Sequence, residues 1–175
     1  MCQNKYYVIH VVCYFQDESR DSLSAPSKVL ISSTTNVAVD RILLGLLSLG
    51  FDRFVRVGSV RKIAKPILPF SVHAAHSENQ ELRSLQEMLK SPELTSSEKN
   101  DVRKSIQLIK SGANQRRLQQ VRVVGATCAS CPFKCLAGST FSVVILDECS
   151  QITEPASLLP IARCYTTSYL ITQWI

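Results

Sequence analysis

Four short apolar runs decide what this chain can fold into. They cover residues 28–33, 54–58, 121–127 and 141–146, and β-branched residues dominate them, as in Val143-Val144-Ile145-Leu146. They lack the in–out alternation of a strand with one wet face. A strand apolar on both sides must be covered on both sides, which is the habit of parallel strands sandwiched between helices. The intervening sequence agrees. After Thr34-Thr35-Asn36, the apolar positions Val37, Val39, Ile42, Leu43, Leu46 and Leu47 fall at helical spacing, and Gly50 follows them. Thr35 or Asn36 can cap the start of this helix, and Gly50 suits its end. Strands alternating with helices predict an α/β fold with a parallel sheet.

Residues 78–120 change character. Glu, Lys, Arg, Gln and Ser dominate, with Leu82, Leu85, Met88 and Leu89, then Val102, Ile106 and Ile109, at helical spacing. Thr95 and Glu98 stand at the spacing of a capping box. The pattern predicts a helical hairpin inserted into the sheet domain. Residues 6–15 form a further apolar run, readable as a strand or a buried helix end. It is too short to span a bilayer.

With 175 residues, 45% of them hydrophobic, the chain can build one real core. Charged residues make up 19%, which excludes wholesale disorder. The net charge of +6 favours a polyanionic partner. Seven cysteines, an odd number without a secretory signal, point to free thiols in a reduced compartment.

Chemistry concentrates where strands end. The run 141–146 stops at Asp147-Glu148. A carboxylate at the carboxyl end of a parallel strand suits Mg²⁺, reached through ordered water, and the adjacent acid can take a proton from an attacking water. Ser32-Ser33-Thr34-Thr35-Asn36 places hydroxyls and an amide where a strand meets a helix N-terminus, an arrangement that suits phosphate. Gly125-Ala126-Thr127 ends a third strand with another hydroxyl. Cys128, Cys131 and Cys135 have C-x2-C-x3-C spacing, which free thiols explain more simply than zinc.

Taken in order, residues 29–40, Arg56-Val57-Gly58, Val124-Gly125-Ala126-Thr127 and the run Asp147-Glu148-Cys149-Ser150-Gln151-Ile152-Thr153-Glu154-Pro155 resemble motifs Ia, Ic and II of superfamily 1B helicases. That group includes senataxin and the nonsense-mediated-decay helicase. Residues 56–69 and 147–163 look closest to helicases that carry a GRF-type zinc finger.

The resemblance spans residues 28–163. It implies part of a RecA-like P-loop lobe, carrying the helical insert, with residues 1–27 and 164–175 outside the matched pattern. It implies ATP and Mg²⁺ as cofactors and 5′–3′ unwinding of single-stranded or branched DNA, with RNA as the alternative strand. It also implies DNA repair, a nuclear location and no membrane partner. By residue, Asp147 would hold Mg²⁺ through water, Glu148 would be the catalytic base, and Gln151 and Glu154 would couple nucleotide to strand. Ser33, Thr34, Thr35, Asn36 and Thr127 would lie against the nucleic-acid backbone. Lys104, Lys110, Arg116 and Arg117 of the insert would add phosphate contacts. The family's glycine-rich loop with its Lys has no counterpart among the six glycines. Hydrolysis is therefore expected to be crippled in this chain, with a non-catalytic single-strand-binding module as the alternative reading.

Overall fold

The computed structural model describes residues 28–76, 79–164 and 169–171. The apolar run at residues 6–15 lies outside them. Among the described residues, five strands form one sheet: β1 (Val29–Ser33), β2 (Phe54–Val57), β3 (Val123–Thr127), β4 (Val143–Leu146) and β5 (Tyr169–Ile171). Their order is β2-β3-β1-β4-β5, and every pairing is parallel. β1 is therefore central, held by β3 on one side and β4 on the other. β5 extends the sheet into the stretch that the family motifs leave unmatched.

Among the described residues four α-helices accompany the sheet: α1 (Asn36–Ser48), α2 (Gln80–Met88), α3 (Ser96–Gln120) and α4 (Glu154–Ile161). α1 starts where the sequence places it. Thr35 is the N-cap, and its hydroxyl accepts from the Ala38 N–H at 3.1 Å. After Leu49 the chain turns through Gly50 at φ +80°, which glycine adopts without Cβ strain. α3 begins with the capping box foreseen from its sequence. Thr95 Oγ1 accepts from the Glu98 N–H, and a Glu98 carboxylate oxygen accepts from the Thr95 N–H at 2.8 Å.

Each face of the sheet buries its own cluster. On one face Val29, Ile31, Val123, Val143 and Ile145 meet Val39, Ile42, Leu43 and Leu46 of α1. At about 1.5–3 kcal/mol for each fully buried aliphatic side chain, this docking, rather than helix propensity, holds α1 in place. Gly125 permits the close approach: a Cβ there would lie 2.8 Å from Leu43 Cδ1. On the other face Leu30, Val124, Val144 and Leu146 meet Leu118 of α3, Leu136 and Phe141. Lys28, just ahead of β1, donates its Nζ to the Leu118 carbonyl at 3.1 Å, a cation at a helix C-terminus. Burial lowers the pKa of that amine.

Candidate functional site

Parallel strands deliver their carboxyl ends to one edge, and the sequence motifs converge there. Ser33 ends β1 and pairs in register with Thr127, which ends β3. On the other side Ser32 pairs with Leu146, and the Asp147 N–H donates to the Ser32 carbonyl at 2.8 Å. Thr127, Ser33 and Asp147 thus stand side by side across three neighbouring strands, beside the N-terminus of α1.

Their environments differ. Asp147 is 6% exposed, so its carboxylate belongs to the edge rather than to open solvent. Glu148 adopts φ 58°, ψ 40° and is the sole non-glycine residue with positive φ among the described residues. A left-handed conformation costs a non-glycine residue about 1–2 kcal/mol, and strain of this kind gathers at functional positions. It turns the chain sharply at the strand end into the 3-10 turn Cys149–Gln151. Gln151 is exposed, and its backbone N–H donates to the Glu148 carbonyl at 2.9 Å.

Thr34 and Thr35 are exposed; Ser33 is fully buried beneath them. The Ser33 hydroxyl is the one buried side-chain polar atom among the described residues with no hydrogen bond. Such an atom, next in line to Asp147, is where an ordered water or ligand oxygen is wanted. Thr127 is 5% exposed, and its hydroxyl shares a 2.8 Å hydrogen bond with Ser130. Asn36 is half-buried, and its carboxamide oxygen accepts from Arg56 Nη2 at 2.9 Å.

That last bond belongs to a buried network whose chemistry the motif reading left unassigned. Arg56 has no exposed surface. Its Nε donates to Asp40 Oδ1 at 2.6 Å and its Nη1 to the Val57 carbonyl. The second Asp40 oxygen accepts from the Ala64 N–H at 2.7 Å. The network ties α1, β2 and the turn after β2 together directly behind Thr34 and Thr35. One sequence signal could have found it, a lone Arg inside the apolar Phe-Val-Arg-Val strand: buried cations are paired.

Among the described residues no group of three His, Cys, Asp or Glu side chains could hold a metal ion. Cys128 and Cys131 both turn to the Ser32 hydroxyl, at 3.5 and 3.9 Å, whereas Cys135 faces a cavity beside β2. Burial, opposed by the Ser32 hydrogen bond, pushes the Cys131 thiol up to about 12, so it stays protonated and unreactive at neutral pH. In the insert, Arg117 donates to the Pro69 carbonyl at 2.7 Å and the exposed Lys104 pairs with Asp101 at 3.1 Å.

The donor set fits Mg²⁺ in part. One carboxylate at a strand end, with water and phosphate oxygens completing the shell, is how Mg²⁺ is usually held. A phosphate cradle is not formed by the described residues: the two glycines with positive φ, Gly50 and Gly138, lie after α1 and ahead of β4, away from this edge.

A family model described as an AAA domain matches residues 73–171, more than half of the chain. The chain belongs to the AAA domain family. The chain is 58% identical over 167 residues to the 5′-3′ DNA helicase ZGRF1 of Mus musculus, covering 91% of this chain and 9% of that protein. It is 30% identical over 142 residues to the regulator of nonsense transcripts 1 homolog of Arabidopsis thaliana, covering 77% of this chain and 11% of that protein. This AAA domain therefore spans about a tenth of the length of those relatives. Its fold, a parallel α/β sheet of partial RecA-like form, agrees with the superfamily 1 helicase pattern read from its motifs. No helix among the described residues is long and apolar enough to cross a membrane.

Proposed function

We propose that this chain is the strand-binding and acid-bearing part of an ATP-dependent 5′–3′ DNA helicase motor. The carrying observation is the row Thr127–Ser33–Asp147, with the strained Glu148 next to it and the exposed Thr34 and Thr35 above it. Asp147 is the residue that would hold Mg²⁺ through water. When bound, Mg²⁺ neutralises charge on the phosphates. Glu148 accepts the proton of the attacking water, held there by its left-handed backbone. Gln151, three residues beyond on the same turn, relays the state of that site outward. Thr34, Thr35 and the free amide end of Asn36 meet the nucleic-acid backbone; Ser33 and Thr127 support them from beneath.

Single-stranded or branched DNA is the partner, on the strength of the DNA helicase relative; RNA is the alternative. A role in DNA repair in the nucleus is part of the same proposal, and imaging of a tagged chain tests the compartment. Without a glycine-rich loop and its Lys within these residues, hydrolysis by the chain alone is weak, because the phosphates lose their main electrostatic partner. That absence favours the second reading, a single-strand-binding module without turnover.

Titration of labelled single-stranded DNA and RNA at controlled salt tests both readings. Binding weakens as salt rises, and Thr34→Ala weakens it further. Affinity that is unchanged in Thr34→Ala refutes the strand contact. Measurable Mg·ATP turnover by the chain that disappears in Glu148→Gln refutes the claim that hydrolysis is weak, while confirming the role of Glu148.

A further inference from the structure

Beside β2 the same edge carries a cavity of about 510 Å³, lined in part by Val57 and Gly58 of the Arg56-Val57-Gly58 motif and otherwise by residues outside the motifs. Val57, the last residue of β2, forms part of its wall, as do the turn Gly58–Arg61 and Phe133 and Cys135 from the segment after β3. Asn114 of α3 and His73 complete it. β3 stands between β2 and β1, so the cavity opens one strand away from Ser33 and Thr34.

We propose that this cavity receives one unpaired nucleobase of the bound single strand, stacked on Phe133. The inference rests on the strand-binding reading above. A volume of this size lies within the usual range of small-ligand sites, and such sites combine apolar walls with a few oriented polar groups. The walls here include Val57, Val60 and Val72. Phe133 is 45% exposed, an aromatic face left at the surface where a base can cover it. Ser59, His73 and Asn114 supply polar groups to the wall. The His73 ring is held by Nε2 at 3.0 Å from the Gly58 carbonyl. Asn114, 9% exposed, carries both a donor and an acceptor on one carboxamide. Among the described residues that line the cavity none is a carboxylate, while Arg61 is an exposed cation on its wall and Lys134 is exposed between Phe133 and Cys135. That charge suits the phosphates on either side of an inserted base and disfavours an acidic-edged ligand. Stacking tolerates any base, so the site contributes affinity and register rather than sequence preference.

The test compares oligodeoxythymidylate with an abasic backbone of equal length, binding to the full chain at fixed salt. Wild type prefers the base-bearing strand. Phe133→Ala loses on the order of tenfold affinity for oligodeoxythymidylate and little for the abasic strand, while Phe133→Tyr keeps the preference. Arg61→Ala lowers the salt slope by about one and leaves the base preference. Because Phe133 is half-exposed, its truncation leaves the core intact. Equal losses on both strands in Phe133→Ala, or no loss on either, overturn the pocket. A wild type that binds both strands equally overturns the pocket alone. A wild type that binds neither overturns the strand-binding reading and the pocket with it.

Discussion

Replacing Arg56 with Met asks how much the buried network beside the turn Thr34-Thr35 is worth. The substitution keeps an unbranched side chain in the space and removes the guanidinium. Asp40, 4% exposed, then keeps only the Ala64 N–H at 2.7 Å from its former partners. Removing one member of a buried ion pair costs about 3–5 kcal/mol, because the other is left charged and uncompensated. The Val57 carbonyl and the Asn36 side chain lose donors as well, which sets the expectation at the upper end. A domain of this size holds about 5–15 kcal/mol in total. With a urea slope of about 2 kcal/mol per molar, a loss of about 5 kcal/mol lowers the unfolding midpoint by roughly 2.5 M. The double variant Asp40→Leu/Arg56→Met removes both charges and recovers most of the loss. Recovery stays incomplete because the Ala64 N–H then lacks its acceptor. Urea unfolding followed by circular dichroism gives all the values. A single variant within 1 kcal/mol of wild type, or a double variant as unstable as the sum of the two singles, refutes the reasoning.

Two glycines should respond in opposite directions. Gly125→Ala brings a Cβ to 2.8 Å from Leu43 Cδ1 and 3.1 Å from Val39 Cγ1, and overpacking between α1 and the sheet costs about 1–3 kcal/mol by thermal unfolding. Gly112→Ala, inside α3 with open space around the new methyl, gains up to about 1 kcal/mol in the same measurement. The capping box carries a pH signature. The Thr95 side-chain and backbone hydrogen bonds lower the Glu98 pKa from its usual 4.5. Stability from a depressed carboxylate is complete above the unfolded value and is lost as pH falls through the folded one. Thr95→Ala therefore lowers the melting temperature at pH 7, and the gap from wild type narrows below pH 4.5; a gap independent of pH contradicts the capping-box assignment.

Sequence made the repeating elements legible because their causes are local. The unalternating strands, the Thr35 cap, Gly50 and the Thr95–Glu98 box are each set by residues within a few positions of one another. The sheet order was not legible, because it is decided by which layers close over β1, and nothing near β1 names β3 and β4 as its neighbours. The same holds within the site. Asp147-Glu148 and Ser32–Asn36 stood out as runs, but their convergence depends on the register of β1 with β4. The burial of Ser33 beneath two exposed threonines is likewise a tertiary result. Tyr169-Leu170-Ile171 is too short a run to announce itself, and only the free edge of β4 makes it a strand. The Arg56 network and the β2 cavity gather residues from separate elements, so no single run names either.

The central position of β1 has a consequence for how the protein is born. Val29 waits for Val123 on one side and Val143 on the other. At about 5–20 residues per second, roughly 5–20 s of synthesis separate β1 from its first partner, with the whole α2–α3 hairpin emerging between them. During that interval the central strand of the sheet has no ladder, and parallel pairing over such distances closes slowly once it can begin. The hairpin, stabilised by contacts near in sequence, can form first. The late-arriving β3 and β4 then close around β1 and create the edge on which the candidate chemistry depends, so the site is among the last parts of the chain to exist.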